Sequence, residues 1–114
     1  MDNSRRAKMD ELAGQLATAW PNPGTPVHLD RDLIPANRAE AYFVQDQMHA
    51  KLGLELAGWK VGATSPTMRE IDGHEDVIPG RIFSVRTYLG TRHSLPIAQF
   101  LNARAETEFA FRLT

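Results

Sequence analysis

Residues 107–113 alternate in a way that favours an extended chain over a helix. Apolar or β-branched side chains hold every second position: Thr107, Phe109, Phe111 and Leu113. In a strand, residues two apart share a face, so Glu106 and Glu108 would lie together, roughly 6–7 Å apart. Carboxylates this close repel each other unless a positive group lies between them. A divalent metal ion is one solution, and solvation or pairing with Arg104 and Arg112 is the other.

Composition narrows the classes of protein that this chain can represent. Its 114 residues suit one domain or part of one. A formal charge of −1 argues against a general nucleic-acid binder, which would carry a basic excess. No apolar run reaches the roughly 18–20 residues that span a bilayer, and no secretory leader is recognisable. Without cysteine there is no disulfide framework, thiolate site or cysteine nucleophile. We therefore expect a cytoplasmic protein.

The first half of the chain predicts two helices. Asp2-Asn3-Ser4 can cap a helix whose apolar residues recur at helical spacing from Met9 to Trp20. Residues 1–35 are thus predicted to form an amphipathic helix and a linker. A second helix begins after Asn37, which with Glu40 resembles a capping box, and Gly53 suits the position after its last turn.

The middle of the chain predicts a strand that leads into a helix. Gly58-Trp59-Lys60-Val61-Gly62 is a short strand bracketed by glycines, with Lys60 on the face opposite its two neighbours. Ser65 is placed to cap a short helix with Pro66 at its first position. Amides at such a helix start bind carboxylates or phosphates in some proteins, although many of these turns bind nothing. A further strand is predicted at 81–85. A short strand, a turn and an edge segment are predicted over 88–90 and 93–96, with Pro96 excluded from a central strand.

Four of these segments together resemble one known family. They are residues 41–45, 58–65, 80–83 and 105–111, in the order and at the spacing of the 2-keto-4-pentenoate hydratase and 4-oxalocrotonate decarboxylase branch of the fumarylacetoacetate hydrolase superfamily. The resemblance runs from about residue 36 to Thr114. It implies an α+β fold, with N-terminal helices followed by the first strands of a mixed β-roll. Residues 36–114 would be the N-terminal part of the catalytic domain, in a chain that continues beyond Thr114.

The resemblance also implies a site. Glu106 and Glu108 would be two ligands of Mg²⁺ or Mn²⁺, and a third acidic ligand would lie beyond Thr114. Lys60 would carry a proton or pair with the substrate carboxylate, and Thr64 and Ser65 would bind substrate. The chain departs from the hydratase pattern at position 78, where many members carry an acidic residue and this chain has isoleucine.

The implied function is that of a hydro-lyase. Its substrate would be a small 2-oxo (2-hydroxydienoic) acid in aromatic-compound catabolism, hydrated in the manner of 2-keto-4-pentenoate hydratase. Two alternatives remain open, a 4-oxalocrotonate-type decarboxylase and a non-catalytic fragment with an incomplete metal site. We also expect a homo-oligomer that engages neither nucleic acid nor membrane.

Overall fold

A computed structural model describes residues 1–114, apart from the side chain of Asp72. Its helices are α1 (Asn3–Ala19), α2 (Arg38–Leu52) and α3 (Pro66–Asp72), and its strands are β1 (Leu56–Gly62) and β2 (Ile78–Phe83). The predicted mixed α+β class is therefore confirmed. The chain forms two compact units, the first made of Met1–Met48 with Ser94–Thr114 and the second of His49–His93.

Both long helices begin at the residues that the sequence indicates. The Asp2 carboxylate accepts the N–H of Arg5 at 2.7 Å at the start of α1. The Asn37 side chain likewise accepts the N–H of Glu40, at 3.0 Å, at the start of α2. Gly53 follows α2 with a φ of +60°, a left-handed conformation that glycine adopts without steric cost. Local capping chemistry thus sets these boundaries.

The core of the first unit lies between α1, a short 3₁₀ turn and α2. The turn covers Arg31–Leu33. Five buried apolar residues make up the cluster: Met9, Leu12, Ala13, Leu33 and Val44. Since α1 contributes three of them, at the helical spacing read from the sequence, its apolar face is the main source of apolar burial in this cluster.

A polar network fastens α1 to the linker and to the start of α2. Arg5 donates from Nε and Nη2 to one carboxylate oxygen of Glu40, at 3.0 and 2.6 Å. Its guanidinium also donates to the carbonyls of Asp32 and Ile34, each at 2.6 Å. The same Glu40 oxygen accepts the N–H of Ala36 at 2.8 Å. One arginine thereby satisfies acceptors on two segments far from it in sequence.

In the second unit, β1 and β2 form an antiparallel pair. The register joins Gly58 to Ile82, Lys60 to Gly80 and Gly62 to Ile78, with an irregularity between Leu56 and Gly58. The predicted strand at 58–62 is confirmed. The one predicted at 81–85 instead spans Ile78–Phe83, and Ser84–Arg86 form a 3₁₀ turn. No strand is assigned at 88–90, so that prediction was wrong, and none is assigned along the predicted edge segment at 93–96.

The C-terminal segment departs most from its sequence pattern. Residues 100–114 are described throughout, contain neither helix nor strand, and are exposed. The strand predicted at 107–113 is therefore wrong for this structure. A strand needs a neighbour for its backbone groups, and β1 and β2 pair only with each other in the one sheet assigned along the described chain. Among the described residues, no helix has both the length and the apolar character that crossing a membrane requires.

Candidate functional site

Lys60 stands on an open face of the β1–β2 pair. Directly opposite residues of an antiparallel pair share a face, and so do residues two apart on one strand. Lys60 is exposed. On this face Gly58 and Gly62 flank it on β1, and Gly80 lies opposite it on β2. A Cβ added at Gly58 or Gly80 would meet nothing within 4 Å. Space is therefore free next to the backbone of these two glycines.

The opposite face of the same strands has a different character. Trp59 pairs with Arg81 in the register, and the guanidinium carbon lies 5.0 Å from the centroid of the indole ring. This cation–π contact covers part of the ring, although Trp59 remains half exposed. Side chains thus cover this face, whereas the Lys60 face carries three glycines together with Ile78 and Ile82.

The loop between β1 and α3 is held in an unusual conformation. Ala63 has a φ of +53°, which is rare for a residue with a Cβ. Arg69 stabilises it by donating from Nη1 to the carbonyls of Ala63 and Thr64, at 3.1 and 3.2 Å. Arg69 lies on α3, four residues beyond the capping Ser65. It therefore fixes the loop that presents Thr64, one of the predicted substrate-binding residues.

Ser65 caps α3 as predicted, and this use limits the donors left for a ligand. Its hydroxyl accepts the N–H of Met68 at 3.2 Å, and its carbonyl accepts the N–H of Arg69 at 3.1 Å. Pro66 has no N–H to offer. The hydroxyl hydrogen of Ser65 can still donate, since a serine oxygen accepts and donates at once. Ser65 and Thr64 are both exposed.

Position 78 shows what replaces the acidic residue of the hydratase pattern. Ile78 begins β2 and pairs with Gly62, on the same face as Lys60. Asp76, two residues earlier, accepts the N–H of Val77 at 2.7 Å through its own carboxylate. An apolar side chain therefore stands near Lys60, and the neighbouring carboxylate supports the turn before β2.

Glu106 and Glu108 lie in the irregular C-terminal segment of the first unit and are exposed. Lys60, Thr64 and Ser65 belong to the second unit, on β1 and in the loop that follows it. Carboxylate oxygens suit Mg²⁺ or Mn²⁺. However, no group of three or more Asp, Glu, His or Cys able to hold a metal ion occurs among the described residues. The two glutamates fit the ion in chemistry but not in ligand number.

Sequence reasoning missed two features of this region. The first is Arg69, whose spacing of four from Ser65 was the available signal, because such a residue lies one turn above the helix start. The second is the open surface around Lys60, which required the register that sets Gly80 opposite it. Glycine content alone does not predict pairing partners.

Comparisons with protein-family models, with curated proteins and with solved structures found no match for this chain. A function therefore has to be inferred from its own residues and from the motif resemblance described above.

Proposed function

We propose that the chain is the N-terminal part of a metal-dependent lyase acting on a small 2-oxo acid, with hydration of a 2-hydroxydienoic acid as its reaction. The observation that supports this most is the register of β1 against β2. It sets the Gly-Trp-Lys-Val-Gly segment beside Gly80-Arg81-Ile82-Phe83, so two segments of the resemblance are neighbours in space. Lys60 is exposed there, with free space next to Gly58 and Gly80.

The side chains of the second unit would bind and orient the acid. The Lys60 ammonium attracts a carboxylate, and in a closed site it would exchange a proton with the substrate carbon chain. The Ser65 hydroxyl would donate a hydrogen bond to the same anion. Arg69 would act indirectly, since it holds the loop that carries Thr64.

Glu106 and Glu108 would hold Mg²⁺ or Mn²⁺ together with a third carboxylate from residues outside this sequence. When bound, such an ion acts as a Lewis acid that stabilises an enolate. With two carboxylates, the chain alone should bind the ion weakly. Decarboxylation of an oxalocrotonate-type diacid uses the same groups and remains the alternative reaction.

A non-catalytic module is the second candidate. The observation that favours it is the lack of a three-ligand group along the described chain. The two candidates differ in turnover. A protein that carries these residues and the third carboxylate should remove the dienol absorbance of a 2-hydroxydienoic acid when Mg²⁺ is present, whereas a non-catalytic module should leave it unchanged.

Calorimetric titration with Mn²⁺ tests the ligand assignment on the chain itself. We expect weak binding by the wild type and roughly tenfold weaker binding by Glu108→Gln, because the amide removes the charge and keeps the shape. Glu75→Gln is the matched control, since it neutralises another exposed glutamate and should change nothing. Equal binding by wild type and Glu108→Gln would contradict the assignment.

A further inference from the structure

We infer that residues 107–113 form an antiparallel pair with the same segment of a second copy of this chain, about a two-fold axis at Ala110. The inference begins with exposed apolar surface. Phe109 is 97% exposed, Phe111 88% and Leu113 93%. The segment belongs to no sheet in this structure. In an extended conformation these three side chains would share one face, and covering such a face favours pairing with another strand.

The sequence of the segment is complementary to itself when it is reversed. With Ala110 on the axis, Glu108 of one copy lies directly opposite Arg112 of the other, and the symmetry makes this pair twice. On the other face Phe109 lies opposite Phe111, also twice. Opposite charges and aromatic residues are the cross-strand pairs that stabilise an antiparallel ribbon. Charge complementarity thus identifies a second copy as the partner.

Other registers satisfy the segment less well. A parallel, in-register pair would set Glu108 beside Glu108 and Arg112 beside Arg112, and like charges in that position repel. Shifting the axis to Phe109 would bring Glu106 opposite Arg112. That shift leaves Phe111 opposite Thr107 and removes both Phe109–Phe111 pairs. The axis at Ala110 is the register that satisfies both faces together.

The pairing would convert an irregular segment into a short two-stranded ribbon. Such ribbons are marginal in water, so the association should be weak and concentration-dependent. The contact would be isologous, because each segment meets the same residues of its copy. It does not depend on metal binding and is therefore measured in EDTA, where failure of the proposed metal site leaves the result unaffected.

Charge reversal tests the register by sedimentation equilibrium of the full chain. Glu108→Arg alone and Arg112→Glu alone should each weaken the dimer about tenfold, because each creates two like-charge pairs. A mixture of these two variants should restore association, because both of the 108–112 pairs in the mixed dimer then join opposite charges. Glu106→Arg changes the charge equally but lies opposite Thr114, and it should have a much smaller effect.

Combining both reversals in one chain is the sharper rescue. In the double variant Glu108→Arg with Arg112→Glu, every arginine at one of these positions again lies opposite a glutamate of the second copy. Association should therefore return to within a few-fold of the wild type, although each substitution alone weakens it.

Cross-linking provides a second readout, because the chain contains no cysteine. Ala110→Cys lies on the axis and should form a covalent dimer on oxidation. Thr107→Cys should not, since the axis separates its two copies by six residues along the ribbon. Circular dichroism checks that each variant keeps the helices of the wild type.

Three results would overturn the inference. They are a wild type that stays monomeric up to its solubility limit, single charge variants that associate like the wild type, and cross-linking of Thr107→Cys in preference to Ala110→Cys. Larger assemblies formed equally by the wild type and both charge variants would also count against the proposed two-fold pair.

Discussion

Replacing Arg5 with methionine should show how much the Arg5 guanidinium stabilises the packing of α1 in its unit. Methionine keeps much of the side-chain volume but removes every hydrogen bond that the guanidinium makes to Glu40, Asp32 and Ile34. The N–H of residue 5 can still donate to Asp2, so the start of the helix is retained. The variant therefore isolates the contribution of the guanidinium.

The lowered pKa of Glu40 indicates how strongly Arg5 stabilises the folded state. The hydrogen bonds from Arg5, and after them the N–H of Ala36, lower this pKa from 4.5 to about 2, although burial acts in the opposite direction. In Arg5→Met the pKa should rise towards 4.5, because its largest cause is removed. Burial supports the choice of this carboxylate: the Glu40 side chain is 9% exposed, whereas that of Asp32 is 60% exposed.

The direction of the pH effect follows from the lowered pKa. Because the folded state binds a proton on Glu40 less readily than the unfolded chain, this group stabilises the fold fully above pH 4.5. That contribution is lost as the pH falls towards 2. The difference in urea midpoint between wild type and Arg5→Met should therefore be largest at neutral pH and should shrink across this window.

An NMR titration of the Glu40 carboxyl carbon measures the shift directly. Lys8→Met is the matched control, because it removes a neighbouring cation that bonds Asp32 at 2.7 Å and not Glu40. In that variant the pKa of Asp32, which is lowered chiefly by the hydrogen bond from Lys8, should rise. The pKa of Glu40 should stay near 2. A wild-type Glu40 that titrates near 4.5, or one that does not respond to Arg5→Met, would refute the reasoning.

Two further substitutions test the core and the Lys60 face. Leu12→Ala should lower the free energy of unfolding by about 2–3 kcal/mol, because Leu12 is buried in the main cluster. Leu95→Ala, at a half-exposed position, should change it by less than about 0.5 kcal/mol, and equal shifts in urea midpoint would argue against this core. Gly80→Ala should keep or raise the melting temperature, since its Cβ meets nothing within 4 Å, whereas Gly90→Ala, at a φ of +117°, should lower it. A loss of stability in Gly80→Ala would show that the face around Lys60 is not open.

The sequence predicted best those features that depend on near neighbours. The caps at Asn37 and Ser65 were identified, and Asp2 was one of three candidates for the first helix, because a side-chain oxygen two or three residues before a free N–H is a local signal. The strand at Gly58–Gly62 was found through its bracketing glycines. For each cap, the stabilised N–H lies three residues beyond the capping side chain. The strand was recognised from its own residues, although its partner β2 lies well beyond it along the chain.

Features that join distant segments were not predictable in the same way. Glu40 was predicted as half of a capping box, yet its carboxylate also binds Arg5, which lies 35 residues away. Nothing in the spacing of these two residues indicates that contact. The alternation at 107–113 predicted a strand that this structure does not contain. Alternation shows which side chains would share a face of a strand, but a strand forms only where a second segment supplies hydrogen-bond partners. The placement of Glu106 and Glu108 in a metal site stays a prediction.

The two proposals make competing demands on Glu108. A carboxylate that coordinates Mg²⁺ is not available to pair with Arg112 of a second copy, so the ion and the ribbon would exclude each other at this residue. Thermodynamic linkage then makes the effects reciprocal: the factor by which Mg²⁺ weakens association equals the factor by which association weakens Mg²⁺ binding. Glu106 distinguishes the two proposals, because it is a metal ligand in the first and lies opposite the uncharged Thr114 in the second. A site that depends equally on both glutamates therefore indicates metal binding, and one that depends on Glu108 and Arg112 indicates the ribbon.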